Sequence, residues 1–369
     1  MAGEASGDLH GAHLVRALRE RDSTLDISAV GGEALKREGV RIVFDAARIA
    51  AMGLTELAGN LTSIWQAYSR VKKILRKQRP SLLILIDFPD FNMRLARVAK
   101  GLGVPVLYYI SPQVWAWRKQ RIAKIARSAD RVAVVFPFEA PLYEKAGVKV
   151  EFVGHPLLDV ARATRPREET LARLGLDPSK RTIALLPGSR RLEVAYHLPV
   201  MLEAAELLSR ETPLQFILIR ASTVKRESLE QALSRASAGV SLSDGDAYNV
   251  LHASDLAWTA SGTATLETAL MRCPMIIVYR LARTTYALAR LLVRVDFIGM
   301  VNIIAGEKVV PELIQSDMTA ERIASESRKI LGGREVRDRM IAKLSEVRAR
   351  LGSPGAAERT ADIALAMMQ

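Results

Sequence analysis

The sequence predicts an α/β protein built from two doubly wound, Rossmann-like domains that face a cleft. Short apolar runs alternate with amphipathic stretches along all 369 residues, and this alternation is typical of parallel sheets covered by helices on both faces. The length suits two domains of about 100–200 residues each. Ligand sites are therefore expected at the carboxyl ends of the strands.

Nine apolar runs are predicted to be strands, and helical patterns lie between nearly all of them. The predicted strands cover residues 27–30, 82–86, 106–109, 131–135, 150–153, 182–186, 215–219, 256–259 and 275–279. The opening segment 3–8 has the composition of a loop that joins a strand to a helix beginning near Leu9. The strand expected before this loop is absent, so either the start was assigned late or the sheet lacks its first strand.

The domain boundary is predicted within the charged segment 159–180, which contains Pro166 and Pro178 and a short helical pattern over 167–174. We therefore predict an N-terminal domain over residues 1–160 and a C-terminal domain over residues 161–350. A tail helix is predicted over residues 351–369.

The composition limits the classes of function. The formal net charge of +13 indicates an anionic partner, such as nucleic acid, an anionic membrane surface or a phosphorylated substrate, unless it serves general solubility. The single cysteine, Cys273, excludes an internal disulfide, and its apolar neighbours predict a buried position. The sequence has neither a signal segment nor an uncharged run of about eighteen residues, which argues against secretion and membrane spans.

The segment LLPGSR at 185–190 predicts a strand, a tight turn and the start of a helix near Glu193. Gly188 lets the turn bend and lets a ligand approach the backbone. Ser189 offers a hydroxyl and an N–H group, and Arg190 offers a forked cation. Because a helix N-terminus also favours anions, the turn is a candidate phosphate site, although an ordinary strand-to-helix turn has the same outline.

A second turn of this kind, SGTATLE at 261–267, follows the apolar strand at 256–258. Ser261, Gly262 and Thr263 again precede a helix, and Glu267 falls one or two turns into that helix. Two anion-accepting turns and a carboxylate suit a nucleoside diphosphate. The pyrophosphate would meet cations and N–H groups, and the carboxylate would meet the ribose hydroxyls.

The strand at 82–86 ends in DFPDFN, where two carboxylates have the position of an active site. Partial desolvation by the neighbouring phenylalanines would make a carboxylate there a better base, so Asp87 and Asp90 are candidates. The alternative is that Asp90 or Asn92 caps the following helix. The next strand ends in YYISPQVWAWR, in which Trp115 and Trp117 either grip a sugar or lipid-bearing substrate or pack in the core.

Taken together, these motifs resemble the lipid-A-disaccharide synthase family. The shared segments are GEASGD at 3–8, DFPDFN at 87–92, SPQVWAW at 111–117, FVGHP at 152–156, LLPGSR at 185–190, SGTATLE at 261–267 and PELIQ at 311–315. They occur in order and with family-like spacing. The SPQVWAW string is highly specific, whereas the Ser-Gly-Thr turn is shared by many nucleotide-sugar enzymes.

The resemblance implies an inverting glycosyltransferase of the GT-B type, with Asp90 as the catalytic base. The family joins UDP-2,3-diacylglucosamine to 2,3-diacylglucosamine 1-phosphate and releases UDP and a β-1,6-linked disaccharide. The residues implied around UDP are Ser189, Arg190, Ser261, Gly262, Thr263, Glu267, Asn302, Glu312 and Gln315. The acceptor-side candidates are Glu4, Ser6, Asp87, Trp115 and Trp117. The family usually has Leu-Pro before this asparagine, whereas this sequence has Met300-Val301. The motif match at Asn302 is therefore incomplete.

The resemblance also implies a cytoplasmic enzyme that is peripheral on the inner face of the inner membrane. No carboxylate pair or histidine cluster has clear metal-ligand spacing, so we predict no metal and no cofactor, and without an RNA-binding signature we predict no nucleic-acid partner. Some members are swapped dimers, so a homodimer is a further expectation. Two stretches, 61–77 and 288–295, carry apolar residues at helical spacing beside basic ones. Each either lies on an anionic membrane or packs on its own sheet.

Two alternatives remain at the level of sequence. A UDP-sugar epimerase on the same architecture would need further acid or base groups. A basic protein that binds nucleic acid or a membrane would need no reaction at all, but the basic residues are spread along the chain. A dehydrogenase and a P-loop NTPase are excluded because the glycine-rich motifs of both are absent.

Overall fold

The computed structural model describes residues 1–3, 5–46, 57–112, 120–282, 286 and 296–369. The chain divides into two compact units: unit 1 is Met1–Asp159 with Leu351–Gln369, and unit 2 is Val160–Arg350. Every strand pair in the described residues is parallel. The predicted parallel α/β architecture is therefore confirmed.

Unit 1 holds two described sheets. In one, β1 (Ser28–Gly31) pairs with β2 (Arg41–Asp45), and the other has the order β3–β4–β5–β6. The strands of the second sheet are β3 (Leu83–Ile86), β4 (Val106–Tyr109), β5 (Arg131–Val134) and β6 (Lys149–Phe152). The helices are α1 (Ala5–Arg21), α2 (Glu33–Arg37), α3 (Leu57–Gln78), α4 (Pro89–Gly101), α5 (Gln120–Ser128), α6 (Ala140–Glu144) and α7 (Leu157–Val160), with a 3₁₀ turn at Pro137–Glu139.

Met1 and Ala2 lie between β1 and β3. The Ala2 N–H donates to Val30 O at 2.9 Å, and the Ile86 N–H donates to Met1 O at 3.0 Å. The Met1 amino group donates to Ile84 O at 2.8 Å, and burial lowers the pKa of this amino group to about 5. These two residues thus take the sheet position in which the sequence predicted a strand before the 3–8 loop.

The carboxyl-terminal segment belongs to unit 1. The helix α16 (Ala356–Met368) packs against α1, and the Arg21 side chain donates to Asp362 at 2.6 Å. The Arg359 guanidinium donates to Val153 O at 2.7 Å. Residues 351–369, predicted as a separate tail, are therefore part of the first compact unit.

Unit 2 contains one six-stranded sheet in the order β9–β8–β7–β10–β11–β12. Its strands are β7 (Arg181–Leu186), β8 (Leu214–Arg220), β9 (Val240–Asp244), β10 (Leu256–Ala260), β11 (Met275–Tyr279) and β12 (Glu312–Ile314). Counted within the unit this is the order 3-2-1-4-5-6 of Rossmann sheets, in which the direction of winding reverses between β7 and β10.

The helices of unit 2 cover this sheet. They are α8 (Arg167–Arg173), α9 (Arg191–Ser209), α10 (Arg226–Leu233), α11 (Ala247–Ala253), α12 (Thr263–Leu270), α13 (Met300–Ala305), α14 (Ala320–Gly332) and α15 (Arg334–Arg350), with a 3₁₀ turn at Gln315–Asp317. The central strand β10 is buried along its whole length. Its Trp258 has its indole N–H bonded to Ser327 Oγ at 2.9 Å, and Cys273 is buried as predicted.

Three strands were not predicted from the sequence: β2, β9 and β12. The strand β9, with the sequence VSLSD, is only partly buried and ends its sheet. At the other end of the sheet β12 has three residues. Edge strands are often short and polar, so their apolar signal is weak.

Candidate active site

The predicted nucleotide residues of unit 2 follow the carboxyl ends of neighbouring strands. The turn 187–190 follows β7, the turn 261–263 follows β10, and Gln315 follows β12. The first two strands are hydrogen-bonded neighbours on the two sides of the winding reversal. Parallel α/β sheets bind ligands at this position, because the flanking loops turn away from each other there.

The turn after β7 is fastened by side chains of the helix that follows it. Gly188 has φ of 124°, a conformation that L side chains rarely adopt. Glu193 Oε2 accepts the N–H groups of Ser189 at 3.0 Å and Arg190 at 3.2 Å. Thr223 Oγ1 donates to the Ser189 carbonyl. The loop conformation is therefore fixed without a ligand.

This geometry corrects one expectation about the turn. The N–H groups of Ser189 and Arg190 were predicted to meet phosphate, but the Glu193 carboxylate already occupies them. The Arg190 guanidinium lies 3.6 Å from Glu193 Oε1, and 79% of the Arg190 side chain is exposed. The guanidinium is thus exposed and available to an anion, and Ser189 is exposed beside it.

The sequence analysis did not identify His197, which joins the chain segments that follow β7 and β11. It is fully buried on α9. Its Nδ1 lies 2.7 Å from Pro187 O, and its Nε2 accepts the Arg280 N–H at 2.9 Å. Burial lowers the pKa of His197, which keeps the imidazole neutral. The spacing of Glu193 and His197 by four residues on one helix was the available signal, since such residues share a face.

The turn after β10 is more open. Ser261 Oγ donates to Ile298 O at 2.8 Å, whereas Gly262 and Thr263 are exposed. Gly262 has φ of 146° and begins α12 without a side-chain cap hydrogen bond. An uncapped helix start favours an anion by its dipole and its N–H groups.

Glu267 lies one turn further along α12 and is half-buried. Its Oε1 accepts the Tyr248 hydroxyl at 3.1 Å. Desolvation by burial raises the pKa of Glu267. The carboxyl group has a second oxygen with which to accept hydroxyl groups, as a ribose would require.

Asn302 and Glu312 form an internal network, and the UDP contact expected of Asn302 stays a prediction. Asn302 is fully buried; its amide donates to Glu312 at 2.8 Å, and its carbonyl oxygen accepts from Val309 and Val310. Glu312 accepts the N–H groups of Ile298 and Gly299, each at 3.0 Å. Both side chains therefore hold the segment that begins α13.

Gln315 ends β12 with φ of 55°. With its amide oriented to satisfy both partners, it pairs with the main-chain N–H and carbonyl of Leu281 at 3.1 and 3.2 Å. The Arg280 guanidinium donates to the carbonyls of Gln315 and Met318. Gln315 thus ties the ends of β11 and β12 together.

The carboxyl edge of unit 1 carries the predicted acidic turn in a strained form. Asp87 and Phe88 both have φ of 46°, which is costly for residues with side chains and occurs most often at functional sites. The Asp87 carbonyl accepts the Tyr108 hydroxyl at 2.8 Å and the Asn92 amide at 2.7 Å. A Cβ on Gly3 would lie 2.4 Å from the Phe88 ring, so the glycine allows this close packing.

Asp90 lies in the first turn of α4 and pairs with Arg121 of α5. The Asp90 side chain is 78% exposed, whereas the Arg121 side chain is 11% exposed. The desolvation expected from the neighbouring phenylalanines is therefore wrong for Asp90. The carboxylate remains accessible, and a mostly buried cation orients it.

The other acceptor-side predictions are only partly described. Glu4, Trp115 and Trp117 lie outside the described residues. Ser6 is exposed in the first turn of α1. His155, in the shared segment 152–156, is buried, and its Nδ1 accepts the Leu157 N–H at 3.2 Å.

The first amphipathic stretch forms α3. Its Ala67, Val71 and Leu75 are buried in the core of unit 1, which favours packing on its own sheet for most of the apolar stripe. Trp65, in contrast, is 69% exposed. The exposed basic residues of the helix are Arg70, Lys73, Arg76 and Lys77. The second stretch, 288–295, lies outside the described residues, and within the described ones no helix is long and apolar enough to cross a membrane.

Solved structures of similar fold include an epimerase and a glycosyltransferase. The UDP-GlcNAc 2-epimerase from Neisseria meningitidis, bound to UDP-GlcNAc, matches with a TM-score of 0.67 at 12% identity over 99% of this chain and 98% of that chain. The glycotransferase of kitacinnamycin matches with a TM-score of 0.62 at 14% identity over 98% and 96%. The fold is GT-B, the architecture of glycosyltransferases and of these epimerases.

Sequence comparison resolves which of these classes applies. The family model described as Lipid-A-disaccharide synthetase matches residues 1–365. The Lipid-A-disaccharide synthase of Syntrophus aciditrophicus is 50% identical over 100% of this chain and 97% of its own length. That of Geobacter metallireducens is 49% identical over 100% and 96%. The chain belongs to the lipid-A-disaccharide synthase family and is a glycosyltransferase of lipid A biosynthesis.

Proposed function

We propose that the protein transfers a diacylglucosamine residue from UDP-2,3-diacylglucosamine to the 6-hydroxyl of 2,3-diacylglucosamine 1-phosphate, with release of UDP. The observation that carries this assignment is the pair of turns after β7 and β10, which flank the winding reversal of the unit 2 sheet. One turn presents the exposed cation Arg190, and the other begins an uncapped helix. The family match over residues 1–365 supplies the sugar chemistry.

Unit 2 is proposed to bind UDP. Arg190 meets the diphosphate, and Ser189, Ser261, Gly262 and Thr263 lie in the turns beside it. Glu267 accepts the ribose hydroxyls with the oxygen that does not hold Tyr248. Asn302, Glu312 and Gln315 act indirectly, because their polar groups brace the chain around Leu281 and Gly299.

Negative charge grows on the diphosphate as the bond to the sugar breaks. A guanidinium already held beside Glu193 needs little reorganisation to meet that charge. Preorganised donors aimed at a developing charge lower the barrier, typically by several kcal/mol. Arg190 is therefore expected to act on both UDP binding and the chemical step.

Unit 1 is proposed to bind the acceptor and to supply the base. A single in-line displacement inverts an α-linked donor to a β-linked product, so one base is enough. Asp90 takes the proton of the attacking hydroxyl; its exposure leaves it accessible, and Arg121 orients it. Ser6 and Asp87 lie on the acceptor side in this proposal, as do Glu4, Trp115 and Trp117.

The acylated substrates place the enzyme at a lipid surface. Trp65 and the basic residues of α3 provide one exposed aromatic group and several cations for the anionic inner face of the inner membrane. Trp65→Ala is expected to reduce sedimentation with vesicles that contain anionic lipid, and Leu192→Ala, at an exposed site of unit 2, is the control. Equal sedimentation of both variants would argue against this surface. A homodimer remains part of the proposal, to be tested by light scattering.

The reaction is tested by mass spectrometry after the protein is mixed with both acylated glucosamine substrates. The expected products are UDP and the disaccharide 1-phosphate. A second incubation with UDP-N-acetylglucosamine alone tests the epimerase alternative, which the family match does not favour. An epimer without any disaccharide would overturn the proposed reaction.

A further inference from the structure

His197 makes hydrogen bonds that an ordinary apolar core residue cannot make. It is fully buried on α9, and its ring contacts main-chain groups after two different strands, Pro187 after β7 and Arg280 after β11. The strand β10 lies between these two strands in the sheet. The imidazole therefore joins the two sides of the turn at 261–263.

The two hydrogen bonds fix the state of the ring. The Arg280 N–H can only donate, so Nε2 must accept. The Pro187 carbonyl can only accept, so Nδ1 must carry the proton. A neutral imidazole with one tautomer satisfies both partners, and a protonated ring would place an N–H group against the Arg280 N–H.

The contacts continue on both sides of His197. Glu193, one helical turn earlier on α9, holds the N–H groups of Ser189 and Arg190. Beyond Arg280, the guanidinium of that residue holds the Gln315 carbonyl at 3.3 Å. The side chains of His197 and Arg280, with their hydrogen bonds, thus link the turn that carries Arg190 to Gln315 at the end of β12.

From this geometry we infer that His197 is a positioning residue for nucleotide binding, which sets the turn 187–190 against the end of β11 so that Arg190 meets the diphosphate. The inference rests on the proposed function of unit 2. His197 touches no substrate in this assignment. It acts through the main chain of Pro187 and Arg280, so its loss should affect the diphosphate contact and spare the base and ribose contacts.

The test compares the affinities of UDP and uridine in the full-length protein by calorimetry. His197→Leu leaves a buried carbonyl and a buried N–H group without partners, so the turn 187–190 should lose its fixed position and UDP binding should weaken by about tenfold. Uridine binding should change little, because uridine has no phosphate. His197→Gln can donate and accept at similar positions and should restore most of the UDP affinity.

A matched control separates positioning from general loss of stability. Leu202 is buried on the same helix, and Leu202→Ala should lower the melting temperature without a selective loss of UDP affinity. Equal UDP affinity of wild type and His197→Leu, or an equal loss for UDP and uridine, would overturn the inference. If the wild-type protein does not bind UDP, the proposed function fails first, so the two failures are distinguishable.

Discussion

The six-stranded sheet of unit 2 and the β3–β6 sheet of unit 1 hold the charged side chains at their carboxyl edges in different ways. In unit 2 the turn after β7 is fastened at four main-chain atoms, which belong to Pro187, Ser189 and Arg190. The partners are side chains of Glu193, His197 and Thr223. The Arg190 side chain therefore extends from a turn in which these four main-chain atoms already have hydrogen-bond partners.

In unit 1 the turn after β3 holds its carboxylate through strain and one ion pair. Asp87 and Phe88 have left-handed torsions, which cost about 1–3 kcal/mol each, and hydrogen bonds from Tyr108 and Asn92 stabilise them. Asp90 follows directly and pairs with one guanidinium. The unit 2 turn thus presents an exposed cation on a hydrogen-bonded backbone, whereas the unit 1 turn presents an exposed carboxylate beside one mostly buried cation.

The sharpest test of this division is Asp90→Asn. The amide keeps the size of the side chain but cannot accept a proton, so kcat should fall by roughly two or more orders of magnitude, as general-base losses do. UDP affinity should stay within about twofold, because the base lies in unit 1. Steady-state kinetics and calorimetry measure the two effects, and Asp26→Asn, at an exposed carboxylate of the same unit, is the control. Unchanged turnover would remove Asp90 from the mechanism.

The next largest effect is expected for Arg190→Ala. Hydrogen bonds to charged groups contribute about 1.5–3 kcal/mol, so UDP should bind roughly ten- to a hundredfold more weakly. Arg191→Ala removes a neighbouring exposed cation and should leave the affinity nearly unchanged. If both variants lose the same affinity, the effect is one of net charge, and the unit 2 turn has no specific anion site.

Many of the strands and of the turns after them could be predicted from the sequence, because both are set by local patterns of residues. The apolar runs of β4 and β11 match the structure at both ends, and the two glycine turns lie at the winding reversal. The edge strands β9 and β12 escaped prediction because partial burial weakens their apolar pattern.

The site residues that were misjudged depend on contacts between distant segments. Nothing local to Asn302 reveals that Val309, Val310 and Glu312 use both ends of its amide. The exposure of Asp90 depends on how α4 meets α5. His197 escaped attention because its four-residue spacing from Glu193 does not reveal the partner at the end of β11.

Gly188→Ala tests whether the fastened turn itself matters. A Cβ at Gly188 would lie 2.6 Å from Glu193 Oε2, in addition to the positive φ of 124°. We expect UDP affinity to fall several-fold and the unfolding free energy to fall by about 1–3 kcal/mol. Gly175→Ala has a positive φ of 68° but nothing within 4 Å, so it should lose stability without losing affinity. If both variants bind UDP as tightly as the wild type, the conformation of the turn at Gly188 does not control UDP binding.

The smallest effect concerns pH and the buried histidine of unit 1. Burial lowers the pKa of His155 to about 3, against about 6.5 in an unfolded chain. The unfolded state therefore binds more protons below pH 6.5, and the unfolding free energy falls as the pH decreases. Between pH 6.5 and 5 this group should cost about 1–2 kcal/mol.

The variant His155→Asn isolates the contribution of His155 to the pH dependence of the unfolding free energy. Its side-chain oxygen can still accept the Leu157 N–H that Nδ1 accepts in the wild type, but it does not titrate. Urea unfolding followed by circular dichroism at pH 6.5 and pH 5 should show a smaller loss in the variant than in the wild type. Equal losses would mean that His155 gains a proton in the folded protein as easily as in the unfolded chain. Burial would then not be the cause that lowers the pKa of His155 in the folded protein.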